Sequence, residues 1–254
     1  MRHAPDRLPC TPGPRRRIVA GLGALAAAGA LTTIAMRTGP SSAAEVATRV
    51  PPLADQALTG PRAAQEVAVL AGGCFWGVQA VFQHTRGVLN AVSGYSGGSA
   101  ATARYEMIGT GLTGHAEAVQ VTFDPSQVSY AQLLQIFFSV VHDPTQLNRQ
   151  GPDRGSQYRS AVFTINDAQK LAVERYIAQL DTAKAFPSKI VTQVAPLAAF
   201  YPAEDYHQNY ASLHPDSRYI ATFDLPKIAN LKTVFAAQYR AEPVLVSQRA
   251  GARR

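Results

Sequence analysis

Cysteine is scarce in this chain of 254 residues, which contains only Cys10 and Cys74. So few cysteines exclude a disulfide-rich scaffold, and no pair of cysteines is available to bind zinc. Cys10 precedes an apolar run that we interpret below as part of an export signal. If that signal is removed, Cys74 is the only cysteine left and no intramolecular disulfide can form.

Other features that mark common functional classes are also missing. The histidines are scattered without the spacing of metal ligands, so we expect no metal site. No glycine-rich stretch matches a nucleotide-phosphate loop or a dinucleotide-binding turn. Most of the formal net charge of +7 belongs to residues 1–44, which hold six arginines and one aspartate. The other residues hold 18 lysines and arginines against 16 acidic residues, which does not support nucleic-acid binding.

The N-terminal residues 1–44 have the order of an export signal. Three arginines at 15–17 precede an uncharged, mostly apolar run at 18–36, and the small residues 42–44 form a plausible cleavage site. This order predicts an exported, periplasmic or extracytoplasmic protein. The arginines hint at the twin-arginine route, although the residues around them match that signal poorly. The alternative is an uncleaved membrane anchor, because the run is nearly long enough to span a bilayer.

Proline and small residues suggest that residues 45–64 are a linker between the signal and one domain. The domain is predicted over 65–239, and the basic residues 240–254 are predicted to be a disordered tail. Apolar periodicity predicts strands near 67–71, 87–95, 115–123, 158–165 and 190–194, and helices from Cys74, over 129–141 and 167–180, within 200–213 and over 231–239. Some connections are too short for parallel crossovers, so we expect an α+β fold of two layers. Its helices would pack on a mixed β-sheet, as a ferredoxin-like core with long loops.

The segment 72–77 combines Cys74 with the only tryptophan of the chain, Trp76. It follows an apolar run of strand length, contains three glycines, and precedes an apolar pattern with helical spacing. A helix that begins at or next to Cys74 would favour a thiolate, through its unpaired N–H groups and partial positive charge. Phe75 and Trp76 would offer an apolar seat for a substrate. The alternative is a cysteine simply buried in the core.

Glu117 lies in the alternating pattern of residues 115–123, with apolar Val119 and Val121 on its own face. If that face is the core face, burial keeps the carboxyl protonated near neutral pH, and it can donate a proton to an oxygen that gains charge. The alternative is a solvated glutamate on the outside of a strand. Tyr105 and Tyr158 are further candidate donors, or simply packing residues. Asp153 could orient a partner, or serve as a turn residue.

Six segments together resemble the A-type peptide methionine sulfoxide reductases. They come in the order of that family and span roughly residues 65–239: GGCFWG at 72–77, SGYSGG at 93–98, GHAEAV at 114–119, HDPTQ at 142–146, QYRS at 157–160 and EDYHQ at 204–208. The resemblance implies reduction of methionine S-sulfoxide, free or in proteins, which repairs oxidised proteins. It also implies a monomer.

The resemblance assigns a role to each candidate residue. Cys74 matches the nucleophile, which becomes a sulfenic acid as methionine is released. Glu117 matches the acid that protonates the sulfoxide oxygen, and Asp153 matches a supporting carboxylate. Phe75 and Trp76 match the pocket for the methyl group of the substrate. The hydroxyls that assist at the oxygen match Tyr105 and Tyr158.

The chain departs from many members of that family, which carry recycling cysteines near the C-terminus. The residues around 217–220, and all that follow, contain none. The resemblance therefore implies no bound cofactor but an external thiol reductant: thioredoxin, glutaredoxin or a small thiol such as glutathione. Two other functions stay open, a cysteine hydrolase with His115 or His207 as its base, and a non-catalytic thiol-bearing module.

Overall fold

The computed structural model describes residues 46–54 and 63–247, so the predicted export signal lies outside the described residues. The strands, in chain order, are β1 (Glu66–Gly72), β2 (Val88–Ser96), β3 (Ala116–Phe123), β4 (Arg149–Gln150), β5 (Asp153–Arg154), β6 (Ser160–Thr164), β7 (Gln193–Pro196) and β8 (Phe200–Pro202). The helices are α1 (Phe75–Gln83), α2 (Tyr105–Ile108), α3 (Tyr130–Ile136), α4 (Asp167–Thr182), α5 (Tyr210–Leu213) and α6 (Leu225–Val234). Among the described residues, no helix has the length and apolar character needed to cross a bilayer.

Six strands form one mixed sheet in the order β7-β6-β1-β3-β2-β8. The four central strands pair antiparallel, whereas β6 and β7 pair parallel. The connection from β1 through α1 to β2 skips over β3, and the connection from β3 through α3 to β6 skips over β1. This order confirms the predicted α+β fold with a ferredoxin-like core. It also lays the end of β1 beside the start of β3, with Leu70 opposite Val119.

Local sequence explains the third helix and its end. Ser129 accepts a hydrogen bond from the backbone N–H of Gln132, whose side chain accepts one from the Ser129 N–H, so a capping box begins α3. After α3 the chain widens into a π-helical turn, Phe137–Val141. Pro144 then prevents further helix, because it lacks an N–H and restricts the residue before it.

Several predicted boundaries were wrong. The helix predicted over 167–180 spans Asp167–Thr182, and Asn166 is its N-cap, since the Asn166 side chain accepts the N–H of Gln169. Tyr158 ends a 3₁₀ turn, and β6 begins only at Ser160. The strand predicted at 190–194 lies at Gln193–Pro196. The final helix spans Leu225–Val234, because Pro226 fits the first turn of a helix and fixes its start upstream of the predicted one.

Part of the predicted linker is packed on the domain. Val50 and Leu53 are buried, and the N–H of Thr48 donates to the carbonyl of Ser139 at 2.9 Å. The hydroxyl of Tyr176 donates to the carbonyl of Pro51 at 2.6 Å. Residues 46–54 are therefore a docked extension and not a free connection.

The prediction of a disordered tail from residue 240 was also wrong for its described part, residues 240–247. The N–H of Arg240 donates to the carbonyl of His84, and the N–H of Val244 donates to the carbonyl of Gln83. The Asn209 side chain accepts the N–H of Val246 and donates to its carbonyl, both at 2.9 Å. These bonds fasten the tail to the end of α1 and to the start of α5.

Candidate active site

Cys74 lies at the junction of β1 and α1. Gly73 makes the turn with φ of +94°, where an added Cβ would lie 2.6 Å from the Cβ and Cγ of Gln150, so only glycine fits. Cys74 is the N-cap residue of α1 and is 3% exposed. The prediction that a helix begins next to this thiol is confirmed. Cys74 therefore lies at the N-terminal end of α1, where the helix dipole is positive.

Glu117 lies near the start of β3 and is 2% exposed. Its Oε2 accepts a hydrogen bond of 3.0 Å from the backbone N–H of Phe75, the residue that follows Cys74. Burial raises the pKa of Glu117 to about 8; the Phe75 N–H opposes that rise, while the carboxylates of Asp153 and Asp224 add to it. The structure thus buries the Glu117 carboxyl against the residue that follows Cys74, and Glu117 is not a solvated strand residue.

Phe75 and Trp76 belong to an aromatic cluster. Trp76 stacks on Tyr210 with ring centroids 3.9 Å apart, and the edge of Tyr219 meets it at 6.1 Å. Phe75 packs against Tyr95 at 5.9 Å. The cluster packs around the first turn of α1, and Phe75 and Trp76, the predicted apolar site for a substrate, are each less than 5% exposed.

His207 lies at the centre of this aromatic cluster, and its imidazole is buried. Its Nδ1 accepts a hydrogen bond from the indole N–H of Trp76 at 3.3 Å, which assigns the ring proton to Nε2. Its ring centroid lies 5.0 Å from that of Phe75 and 4.3 Å from that of Tyr105. Burial lowers the pKa of His207 to about 4, so the ring is neutral at pH 7. The sequence analysis considered His207 only as a possible base.

Glu204 ties Tyr105 to the cluster. Its carboxylate accepts the hydroxyl of Tyr95 at 2.9 Å and the backbone N–H of Tyr105 at 3.1 Å. It also lies 3.9 Å from the Nε2 of His207. One carboxylate therefore joins β2, the start of α2 and the 204–208 segment, and it holds Tyr105 against His207.

Asp153 and Tyr158 lie in the loops between α3 and β6. Asp153 is 7% exposed and its Oδ2 accepts the hydroxyl of Tyr219 at 2.5 Å, which links it to the edge of Trp76. Tyr158 is 7% exposed and ends a 3₁₀ turn that contacts β3, the strand of Glu117. Sequence reasoning named both residues and placed Glu204 in the EDYHQ segment without a role. It missed Tyr210, Tyr219 and Asp224, since nothing local marks them.

The histidine base that a cysteine hydrolase needs has no candidate in His115. The Nδ1 of His115 accepts the N–H of Gly98 at 3.2 Å, and its Nε2 lies 3.0 Å from the carbonyl of Ser99. His207 is likewise engaged, since its Nδ1 accepts the indole N–H of Trp76. Across residues 46–54 and 63–247, no three side chains of His, Cys, Asp or Glu are grouped as ligands for a metal ion.

The chain is similar in sequence to known proteins. A family model described as peptide methionine sulfoxide reductase matches residues 66–239. The peptide methionine sulfoxide reductase MsrA 2 of Mesorhizobium japonicum is 59% identical over 181 residues, 71% of this chain and 93% of that protein. The MsrA 2 of Synechocystis is 49% identical over 177 residues, 70% of this chain and 83% of that protein.

The fold is also similar to that of two solved structures. The reduced form of Mxr1 from Saccharomyces cerevisiae aligns with a TM-score of 0.57 and 31% identity, over 65% of this chain and 93% of that one. Methionine sulfoxide reductase A of Corynebacterium diphtheriae aligns with a TM-score of 0.53 and 33% identity, over 69% and 88%. Together with the family match across residues 66–239, these likenesses show that the chain belongs to the peptide methionine sulfoxide reductase family, A type.

Proposed function

We propose that this chain reduces the S-epimer of methionine sulfoxide, in proteins or free, with Cys74 as nucleophile and Glu117 as proton donor. The observation that carries this proposal is the 3.0 Å hydrogen bond from the Phe75 N–H to the Glu117 carboxyl. It joins the carboxyl to the residue next to the thiol. Because the pKa of Glu117 is raised to about 8, the carboxyl is mostly protonated at neutral pH.

A sulfoxide oxygen is a poor leaving group unless it takes up a proton, which is why the acid is needed. The Cys74 thiolate attacks the sulfoxide sulfur while Glu117 donates its proton to the oxygen. The attack forms a bond between the two sulfur atoms as the sulfur–oxygen bond of the substrate breaks. The protonated oxygen passes to the Cys74 sulfur, the bond between the sulfurs breaks, and Cys74 is left as a sulfenic acid. The substrate sulfur gains two electrons and leaves as methionine, and the Cys74 sulfur loses two.

The aromatic cluster supports a role for Phe75 and Trp76 in holding the methyl group of the substrate. Their rings are apolar, and Trp76 is fixed by stacking on Tyr210 and by its hydrogen bond to His207. A fixed apolar wall favours an uncharged methyl group over a charged competitor. Tyr105 and Tyr158 are the proposed hydroxyls at the sulfoxide oxygen, and Asp153 supports the site through Tyr219.

Regeneration of Cys74 needs an external thiol in this proposal. The sequence from residue 75 to residue 254 contains no cysteine, so nothing in it can form a disulfide with the sulfenic acid. A first thiol, small or borne by a thioredoxin-like or glutaredoxin-like protein, forms a mixed disulfide with Cys74 and releases water. A second thiol attacks that disulfide and restores the Cys74 thiol.

Export of the protein is part of the same proposal. Its support is the arginine cluster, apolar run and small-residue site within residues 1–44. An exported enzyme would repair periplasmic or other extracytoplasmic proteins and would need a reductant there. N-terminal sequencing of the protein isolated from cells distinguishes a cut chain from one that keeps its apolar run as an anchor.

The decisive test compares the wild type with Cys74→Ser and with Cys10→Ser as the matched control. We expect Cys74→Ser to lose reduction of a methionine sulfoxide peptide by dithiothreitol, and Cys10→Ser to keep it. Without reductant, the wild type should release one methionine per Cys74 and carry a trappable sulfenic acid. Reduction by Cys74→Ser at the wild-type rate, or no reduction by the wild type, would contradict the proposal.

A further inference from the structure

Two charged side chains are buried beside α1 and have no role in the mechanism above. Asp224 is 0% exposed and directly precedes α6, and the side chain of Lys227, in the first turn of α6, is 6% exposed. The Nζ of Lys227 lies 3.6 Å from Oδ1 of Asp224. Burying such a pair commonly stabilises a fold no more than an apolar pair would, so its presence calls for another explanation.

The pair lies directly under the first turn of α1. A Cβ added to Gly77 would collide with Oδ1 of Asp224 and would lie 3.2 Å from Nζ of Lys227. Glycine at this position therefore lets the carboxylate approach the helix backbone more closely than any other residue would. The same turn begins at Phe75, whose N–H binds Glu117.

The charged and titratable groups that face Glu117 come from several elements. Tyr95 lies opposite Glu117 in the pairing of β2 with β3, and burial raises its pKa, so it stays protonated. The carboxylates of Asp153 of β5 and of Asp224 both raise the pKa of Glu117. Cys74 is the fourth neighbour, next to Phe75 in the chain. Asp153 has a role in the proposed site through Tyr219, whereas Asp224 has none so far.

Lys227 faces a different group. Burial of His142 lowers its pKa to about 3, and the positive charge of Lys227 contributes to that lowering, so this imidazole is neutral. His142 is held by the carbonyl of Phe137 at 3.1 Å and the hydroxyl of Ser160 at 2.7 Å. Lys227 thus acts on the charge state of His142, whereas Asp224 acts on that of Glu117.

We propose that Asp224 is a positioning residue for the reduction step. From beneath Gly77 it fixes the first turn of α1, whose Phe75 N–H holds Glu117, and its charge acts together with burial to favour the protonated carboxyl. Lys227 holds the carboxylate in this place. The inference rests on the proposed role of Glu117 as proton donor. It adds a residue that touches neither the substrate nor the reacting sulfur.

The test is the pH dependence of single-turnover methionine release, measured from about pH 6 to about pH 10 so that it spans the titration of Glu117. Asp224→Asn keeps the shape of the side chain and removes its charge. We expect the fall of the rate at alkaline pH to move down by about 0.5 to 1 pH unit, the size of one partly screened charge. Glu174→Gln removes an exposed carboxylate of α4 and serves as the matched control, with no shift.

A second measurement reads the acid directly. The ¹³C resonance of the Glu117 carboxyl, assigned by its absence in Glu117→Gln, should titrate at lower pH in Asp224→Asn than in the wild type. A rate lowered equally at every pH, with this resonance unmoved, would make Asp224 a structural residue only and would overturn the inference. A wild type without any alkaline fall, or a fully active Glu117→Gln, would instead overturn the proposed function.

Asp224→Asn leaves Lys227 buried without its counterion, so a double variant replaces it in the experiment if it does not fold. Asp224→Asn with Lys227→Met removes both charges at similar volume, which proteins often tolerate. Because Asp224 is the member that acts on Glu117, the same downward shift is expected. An unchanged alkaline fall in the folded double variant would also overturn the inference.

Discussion

Glu117→Gln replaces the buried carboxyl by an amide of nearly the same shape, and we expect it to slow reduction while it stabilises the fold. The amide oxygen can still accept the N–H of Phe75, which Glu117 accepts at 3.0 Å, so the start of α1 should be unchanged. An amide cannot protonate the sulfoxide oxygen. Loss of a general acid commonly costs on the order of 10² to 10⁴ in rate.

The gain in stability follows from the raised pKa of Glu117, about 8 in the folded protein. An unfolded glutamate has a pKa of about 4.3. The folded state therefore binds more protons between these values, and the free energy of unfolding falls as pH rises from about 4 to about 8. At pH 7 this linkage costs on the order of 3 kcal/mol, and at pH 5 about 1 kcal/mol. Glu117→Gln, which has no such proton, avoids the cost.

Two assays check this prediction together. Single-turnover methionine release gives the rate of the chemical step, and urea unfolding at two pH values gives the free energy of unfolding. We expect Glu117→Gln to be slower by the factor above, and its stability advantage over the wild type to be larger at pH 7 than at pH 5. Glu174→Gln, an exposed change on α4, should alter neither quantity. A Glu117→Gln variant that is less stable than the wild type at both pH values would refute the buried, protonated carboxyl.

Three further predictions concern parts of the molecule around the reacting groups. His207→Phe keeps a ring but leaves the Trp76 N–H without its acceptor, so KM for the sulfoxide should rise about tenfold, with kcat less affected, in steady-state kinetics. Asn209→Ala should lower the free energy of unfolding by about 2 kcal/mol, since Asn209 has φ of +61° and fastens the tail, and Asn209→Gly should lose less because glycine removes the backbone strain. Ser129→Ala should cost about 1 kcal/mol in thermal unfolding and leave activity unchanged, because it removes only the cap of α3. An unchanged KM in His207→Phe would contradict the first prediction, and an equal loss of stability in the two Asn209 variants would contradict the second. An inactive Ser129→Ala would contradict the third.

The local sequence pattern was enough to predict the structure of the segment that carries the proposed nucleophile, Cys74. An apolar run of β residues, a glycine turn and a helical apolar pattern follow one another within residues 66–83, and each depends on neighbours in sequence. The capping box at Ser129 is local in the same sense. The last helix was placed too late in the chain because its apolar pattern indicated residues 231–239, whereas Pro226 fits the first turn of a helix that begins at Leu225.

By itself the sequence determined which residues have reactive groups, the strand–turn–helix around Cys74, and the α+β class of the fold. These follow from spacing and from the conformations that glycine, proline and apolar periods permit. The tertiary structure alone decided that Glu117 is buried, because β3 lies inside the sheet and alternation cannot say which face is covered. It also decided that Glu117 meets Phe75, that His207 holds Trp76, and that Asp224 lies under Gly77. These residues are far apart in sequence and come together only when strands pair and helices pack, so the position of the proposed proton donor near Cys74 is a product of the fold.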